Sequence, residues 1–309
     1  MNTPTPVELV RIYAEMAETG LVDRLLELAR DEDLGPGGCD LSSELFVDED
    51  ATRRCAVVAR QVGVVAGLAA MDDLLRVFGF AESVKAQIES PDGSRVEPGT
   101  RVAVLEGKAR DVLTVERTLL NLVGRLSGVA TLTRRYLEAM GPDTRAGLYD
   151  TRKTTPGLRV LEKYAVRCGG GCSHRLGLHD AVLVKDNHLA GLGLENLGAA
   201  IVAAGERVRA LPEPVAFFEV EVDSLEQFER VLAAGSGVVD IVLLDNFTPA
   251  ELMVAVGLRD RAGSGLQLEA SGGITLETIR EVAHTGVDRI SVGALTHSAA
   301  SLDFGLDAL

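Results

Sequence analysis

The chain contains no tryptophan, and aromatic residues fill only 4% of its 309 positions. Stacking platforms for single-stranded nucleic acid need more rings than that. Basic residues are also in the minority: 31 Lys and Arg stand against 46 Asp and Glu, for a formal net charge of -15. This balance argues against a broad phosphate-backbone partner, so no nucleic acid is expected. No uninterrupted apolar run of about 18 residues occurs, and no membrane span is expected. Residues 1–29 carry early acidic side chains and no long apolar stretch, unlike a signal peptide. The four cysteines, Cys39, Cys55, Cys168 and Cys172, are too few for a disulfide scaffold in a chain this long. Cys168-Gly-Gly-Gly-Cys172 lacks the usual CxxC ligand spacing, and no second Cys/His pair at finger-like spacing accompanies it. Reduced thiols in a cytoplasmic protein are the expectation. A GxxxxGK[ST] phosphate loop, a convincing dinucleotide fingerprint and a GxSxG elbow are absent as well.

Against this acidic background one segment reverses sign. Between Arg145 and Lys185 there are eight Lys or Arg and three Asp or Glu. The segment holds Asp150-Thr-Arg-Lys-Thr-Thr-Pro-Gly157, then Ser173-His-Arg175, then Lys185-Asp-Asn-His188. Cations gathered beside glycine-rich turns suit a small, multiply charged anion, because partial desolvation strengthens the attraction. The plainer alternative is a solvated helix face with scattered arginines. It fits less well, since several of these cations sit beside turn residues or at strand ends.

The apolar pattern divides the chain. Val7 to Arg30 has helical spacing, and Asp31 to Asp40 reads as a Gly/Pro turn region. Thr52 to Ala69 alternates as paired strands, Met71 to Phe78 is helical, and Val84–Ile88 and Arg101–Gly107 are strands flanking Pro91-Asp-Gly-Ser. A small α+β sandwich over residues 1–112 follows. Leu113 to Met140 carries a long apolar stripe, in which Gly124 and Gly128 offer a surface for another helix. Beyond it, six short apolar runs alternate with amphipathic helices, the signature of a parallel sheet. The runs end at Asp150, Lys185, Glu221, Asp245, Ser271 and Gly293. An incomplete α/β barrel over residues 113–297 is expected, with a seventh strand hidden near Ala165–Gly171 and a tail over 298–309 packing back on the first domain. Barrel chemistry sits at the C-terminal strand ends, where these polar residues converge. A doubly wound open sheet is the alternative, and it leaves some of those ends idle.

Each candidate has a chemical and a structural reading. Arg152 and Lys153 follow a strand end and suit a carboxylate or phosphate; otherwise they are an exposed loop pair. His174 and Arg175 follow three glycines, which let backbone N–H groups approach an anion. Lys185 at a strand end pairs with Glu221 or Asp245, or faces a ligand, because an unpaired buried ammonium is costly. His188 braces its loop. Glu221 and Asp245 suit ribose hydroxyls, Mg²⁺ or general-base work. Glu219 shares a face with Glu221 and supports it. Ser271-Gly272-Gly273, before a helix expected near Thr275, and Gly293-Ala294-Leu295 read as phosphate cradles.

Taken together, Glu116-Arg117-Thr118, Asp150–Gly157, Gly169–Arg175, Lys185–His188, Glu219–Val222, Leu244-Asp-Asn-Phe247, Ser271-Gly-Gly273 and Ser291–His297 resemble the quinolinate phosphoribosyltransferase family over nearly the full length. The resemblance implies a seven-stranded α/β barrel beside an N-terminal α/β domain, and conversion of quinolinate and phosphoribosyl pyrophosphate to nicotinate mononucleotide, pyrophosphate and CO₂ with Mg²⁺. It implies catalytic roles for Lys153, Lys185, Glu221 and Asp245. It places quinolinate and phosphates on Thr151, Arg152, Lys153, His174, Arg175 and Lys185, ribose and metal at Glu221 and Asp245, and phosphate at Ser271–Gly273 and Gly293–Leu295. Arg117 is implied to enter a neighbouring subunit's site, in a homodimer or hexamer. Two departures concern substrate positioning: Ser173 stands where the family commonly has Asn, and Cys39-Asp40-Leu-Ser where Gly-Asp-x-Thr is frequent. A related pyrophosphorylase associated with molybdenum uptake, a nicotinate phosphoribosyltransferase and a non-catalytic phosphate-metabolite sensor are the competing readings.

Overall fold

The computed structural model describes residues 4–235 and 237–309. The strands, in chain order, are β1 (Thr52–Ala59), β2 (Gly63–Val64), β3 (Val84–Ile88), β4 (Arg95–Val96), β5 (Arg101–Lys108), β6 (Gly147–Tyr149), β7 (Val182–Val184), β8 (Phe218–Val222), β9 (Ile241–Asp245), β10 (Gln267–Ser271), β11 (Arg289–Ser291) and β12 (Phe304–Ala308). Contacts divide the chain into two compact units that are not sequential blocks. One joins Arg135–Arg152 with Cys172–Ala294; the other joins residues 4–134, Lys153–Gly171 and Leu295–Leu309. Among the described residues no helix is long and apolar enough to cross a membrane.

The second unit carries an antiparallel sheet of order β12-β1-β5-β3. Its Ala56, Val58 and Val104 side chains form a buried cluster. The chain's last strand thus pairs with its first, Cys55 opposite Ala308. The stretch expected as one strand pair over Thr52–Ala69 is split: β2 pairs with β4 instead. The single helix expected over Val7–Arg30 is two, Pro6–Ala17 and Leu21–Leu34, broken at Gly20, whose φ of 70° lies in the left-handed region. The long helix Ala109–Met140 does use Gly124 and Gly128 for close packing, but not against a helix. The extended segment Ala300–Leu302 lies there, with the Leu302 N–H donating to the Gly124 carbonyl at 2.9 Å. A Cβ on Gly128 would overlap the Ala300 carbonyl oxygen and come within 2.9 Å of its carbon.

The first unit is the α/β part. Six parallel strands lie in the order β6-β11-β10-β9-β8-β7. The seventh strand expected near Ala165–Gly171 is not there. Those residues end the helix Arg159–Gly169, closed by Gly170 at φ 95°. Just after, Cys172 makes one parallel bridge to Tyr149, so the seventh position is a single rung. Glycines obscured both the helix end and the bridge. Val220, Val222, Val242, Leu244, Leu268 and Ala270 are buried on one side of the pleat. The alternate residues face the concave side: Glu219 on β8 and Glu269 on β10 both reach His174, although β9 separates their strands. The helix Pro249–Arg261 begins at a Thr248 cap reinforced by Glu251 and a first-turn proline.

Gly128→Ala is expected to lower stability. The helix-propensity gain of about 1 kcal/mol is outweighed by an overpacking cost of about 1–3 kcal/mol against immobile backbone. Gly257→Ala, whose Cβ would meet only the tip of Arg261, is expected to keep or raise stability. Denaturation midpoints of the two variants check the contrast.

Candidate active site

At the C-terminal end of β6, Asp150 is buried and its Oδ1 accepts the His174 N–H at 2.9 Å. This bond fixes the chain as it leaves the Cys172 rung. The His174 Nδ1 in turn accepts the Arg175 N–H at 2.8 Å, and an Arg175 Nη1–H donates to the Ala181 carbonyl at 3.1 Å. Arg175 is buried, and Arg152 places a second positive charge close by. Burial first, and then Arg152, lower the Arg175 pKa. The Arg152 Nε and the Ser173 hydroxyl are also buried, and neither has a hydrogen-bond partner among the described residues. Two like charges held together around unused donors form a receptor for an anion.

Beneath this pair lies a layer of buried charge. His174, 8% exposed, points its Nε2 at Glu219 Oε2, 3.0 Å away, and at Glu269 Oε1, 3.4 Å away. Both glutamates are 0% exposed. The Arg289 Nε donates to Glu269 Oε2 at 2.6 Å, and its guanidinium lies 3.7 Å from the centre of the Tyr149 ring. Phe217 packs edge-on to the His174 ring at 5.3 Å. Burial and the charge of Glu269 raise the Glu219 pKa. For Glu269 burial acts the same way, but contacts to His174 and Arg289 overcome it and lower its pKa. The spacing of His174, Glu219 and Glu269 would admit a metal ion. Arg289 already occupies Glu269 Oε2, while both Glu219 oxygens, Glu269 Oε1 and Arg289 Nη2 are buried without a hydrogen-bond partner among the described residues.

At the strand ends the structure brings several expected residues together. The Lys185 Nζ meets Glu221 Oε2 at 2.6 Å; the lysine side chain is 45% exposed and the glutamate 13%. The Lys185 N–H donates to His188 Nδ1 at 2.8 Å, so His188 braces the loop. Glu221 and Asp245 line one cavity of ≈ 510 Å³ together with Asp186, Asp223, Gln227 and Asn246. Asn246, at φ 58°, is the only described non-glycine residue in the left-handed region. Its N–H donates to the Ser271 carbonyl at 2.9 Å and its amide to Asp245 Oδ2 at 2.7 Å. Gly272, at φ 97°, leaves no room for a Cβ beside Asn246. The helix expected near Thr275 begins at Ile279, because Leu276–Thr278 form a turn first. Gly293 and Ala294 precede a helix of four residues, Ala294–His297.

Thr151 belongs to this unit, whereas Lys153, Arg117 and Leu295 belong to the other. Lys153 and Arg117 are exposed and Leu295 is buried. The Lys153 carbonyl accepts the Thr296 hydroxyl at 2.8 Å, and Thr155 donates to buried Glu162 from its N–H at 3.0 Å and its hydroxyl at 2.9 Å. Arg125 meets the same Glu162 at 2.6 Å. These bonds hold the Lys153–Gly157 loop. Sequence reasoning gave no role to Glu269, Arg289 or Tyr149. The signal was there in period two: Glu269 stands two before Ser271, as Glu219 stands two before Glu221.

With this geometry in hand, two family models match. The quinolinate phosphoribosyl transferase N-terminal domain matches residues 40–127, and the C-terminal domain residues 129–307. The chain belongs to the quinolinate phosphoribosyl transferase family. A nicotinate-nucleotide pyrophosphorylase [carboxylating] from Mycobacterium leprae is 43% identical over 87% of this chain and 91% of its own length. A probable one from Bacillus subtilis is 41% identical over 89% of each. NadC from Streptococcus pyogenes, a solved structure, is 38% identical with a TM-score of 0.81, covering 93% of this chain and 97% of that one. The buried layer and the paired arginines are therefore features of a member of this family.

His174 yields a pH prediction. Burial opposes its charged form, but contacts with Glu219 and Glu269 outweigh burial and push its pKa from 6.5 up to about 9. Protonation removes the Nδ1 lone pair that accepts the Arg175 N–H and leaves two buried donors facing each other, which offsets part of that rise. A folded-state pKa above the unfolded value stabilises the fold at low pH. That contribution is whole below about 6.5 and is lost as pH rises towards about 9. Stability of the wild type minus that of His174→Gln, measured by denaturant titration, should fall across this window.

Proposed function

We infer that this family member transfers a phosphoribosyl group to quinolinate and releases CO₂, forming nicotinate mononucleotide and pyrophosphate. The observation that carries the reading is buried Arg175 under the charge of Arg152, with the Arg152 Nε and Ser173 hydroxyl buried and without partners among the described residues, in a chain of net charge -15. Quinolinate offers two carboxylates, and planar guanidinium forks suit them. Thr151, His174 and Lys185 complete the acceptor's surroundings, and by family resemblance Lys153 serves the same substrate. Phosphoribosyl pyrophosphate takes the carboxylate-lined side. Glu221 and Asp245 face the ribose, and the turns at Ser271–Gly273 and Gly293–Leu295 take phosphate.

The chemistry follows from charge. The pyridine nitrogen attacks C1 of the ribose as the C1–O bond to pyrophosphate breaks. Positive charge develops on the sugar, where Glu221 and Asp245 stabilise it. Holding both reactants in place supplies much of the acceleration. The bond to the 2-carboxylate then breaks with its electron pair left on C2, where the adjacent quaternised nitrogen stabilises it; CO₂ departs, and a proton from solvent takes its place on C2. Mg²⁺ fits the oxygen donors Glu221 and Asp245, which share a cavity with Asp186 and Asp223; it supplies neutralisation of the pyrophosphate charge. We also infer a homodimer or larger assembly in which Arg117, exposed on its helix, enters a neighbouring subunit's site.

A direct assay is release of labelled CO₂ from carboxyl-labelled quinolinate. Release is expected only when phosphoribosyl pyrophosphate is present, matched by nicotinate mononucleotide. Release without it, or none with it, contradicts the reading. For the shared site, Arg117→Ala and Lys185→Ala are each expected to be inactive and to regain part of the activity when mixed under conditions of proven subunit exchange; no recovery contradicts the sharing.

A further inference from the structure

We propose that Glu269 is a positioning residue for quinolinate, acting through His174 on the backbone and side chain of Arg175. The inference rests on the assignment of Arg175 to the diacid made above. Glu269 has no solvent exposure and so touches no substrate. Its Oε2 is taken by Arg289, and its Oε1 lies 3.4 Å from His174 Nε2. His174 is held at two further points, one on its backbone and one on its ring. Asp150 holds its backbone N–H, and its own Nδ1 holds the N–H of Arg175. A ring anchored at one end by buried carboxylates and bonded at the other to the next residue transmits their placement to that residue. Among the described residues the Arg175 side chain donates one hydrogen bond, from Nη1 to the Ala181 carbonyl, which leaves the rest of its fork for a ligand.

The remaining groups facing the imidazole support a positional role. Glu219 comes from β8, Arg289 from β11 with its guanidinium on Tyr149, and Phe217 packs edge-on. Phe217 and the two carboxylates flank the buried ring and restrict its rotation. Glu269→Gln keeps the shape and removes the charge, so the ring loses its electrostatic anchor while the packing survives.

Steady-state kinetics of the full-length enzyme test this. Glu269→Gln is expected to raise KM for quinolinate by about tenfold or more and to leave KM for phosphoribosyl pyrophosphate within about twofold. Placed on a His174→Gln background, it is expected to add nothing further to the quinolinate KM, because the route already lacks its middle member. Glu269→Asp, which restores the charge, is expected to recover part of the affinity. Folded Glu269→Gln with an unchanged quinolinate KM, an equal rise in both KM values, or full additivity with His174→Gln overturns the proposal. If Glu269→Gln does not fold, Glu219→Gln takes its place, since its carboxylate meets the same Nε2. Arg175→Ala separates the two levels. If it leaves the quinolinate KM unchanged, the substrate assignment fails; if it raises KM and Glu269→Gln does not, only the positioning role fails.

Discussion

The α/β unit is organised around charges that water does not reach. A barrel of this kind normally fills its interior with branched apolar side chains. Here Glu219, Glu269 and Arg289 occupy inward positions on β8, β10 and β11, and His174 closes the set from the segment between the Cys172 bridge and β7. Buried charges of this sort add little net stability, because desolvation consumes most of the attraction. What they supply is direction. The contacts of His174 to the two glutamates, with the Asp150 bond to its backbone, hold the loop carrying His174 and Arg175 in place.

That constraint explains how a cationic site persists in an acidic protein. Arg152 repels Arg175, and burial raises the cost of the Arg175 charge. The layer beneath them, with Asp150 on the backbone, offsets that cost locally and leaves the outer side in need of an anion. The mouth is polarised as well. Lys185 is drawn to Glu221, and the neighbouring cavity is lined by Asp186, Glu221, Asp223 and Asp245. A diacid and a sugar carrying developing positive charge want opposite surroundings, and one sheet edge offers both.

Much of this was legible in the sequence, and the exceptions share a cause. The alternation of strands and helices announced the parallel sheet, and the strand ends were read almost to the residue because polar residues there interrupt apolar runs. Glycine defeated the reading elsewhere. Gly20 split a helix whose apolar spacing ran straight through it, Gly169–Gly171 hid a helix end and a lone bridge, and Gly124 and Gly128 accept an extended segment where spacing alone invited a helix. The buried layer was missed for a different reason. Glu269 and Arg289 are one glutamate and one arginine among many, and only the folded pleat shows that they point at each other. Lys185 with Glu221 was legible because both close a strand.

The central claim is that Arg152 and Arg175, held by the layer under them, receive the two carboxylates of quinolinate. A crystal structure of the quinolinate complex tests it most directly. The account predicts the carboxylates within hydrogen-bond distance of both guanidiniums, with the His174 imidazole still turned to Glu219 and Glu269. A diacid bound in the carboxylate-lined cavity by Glu221 and Asp245, with the two arginines left to solvent, would contradict it.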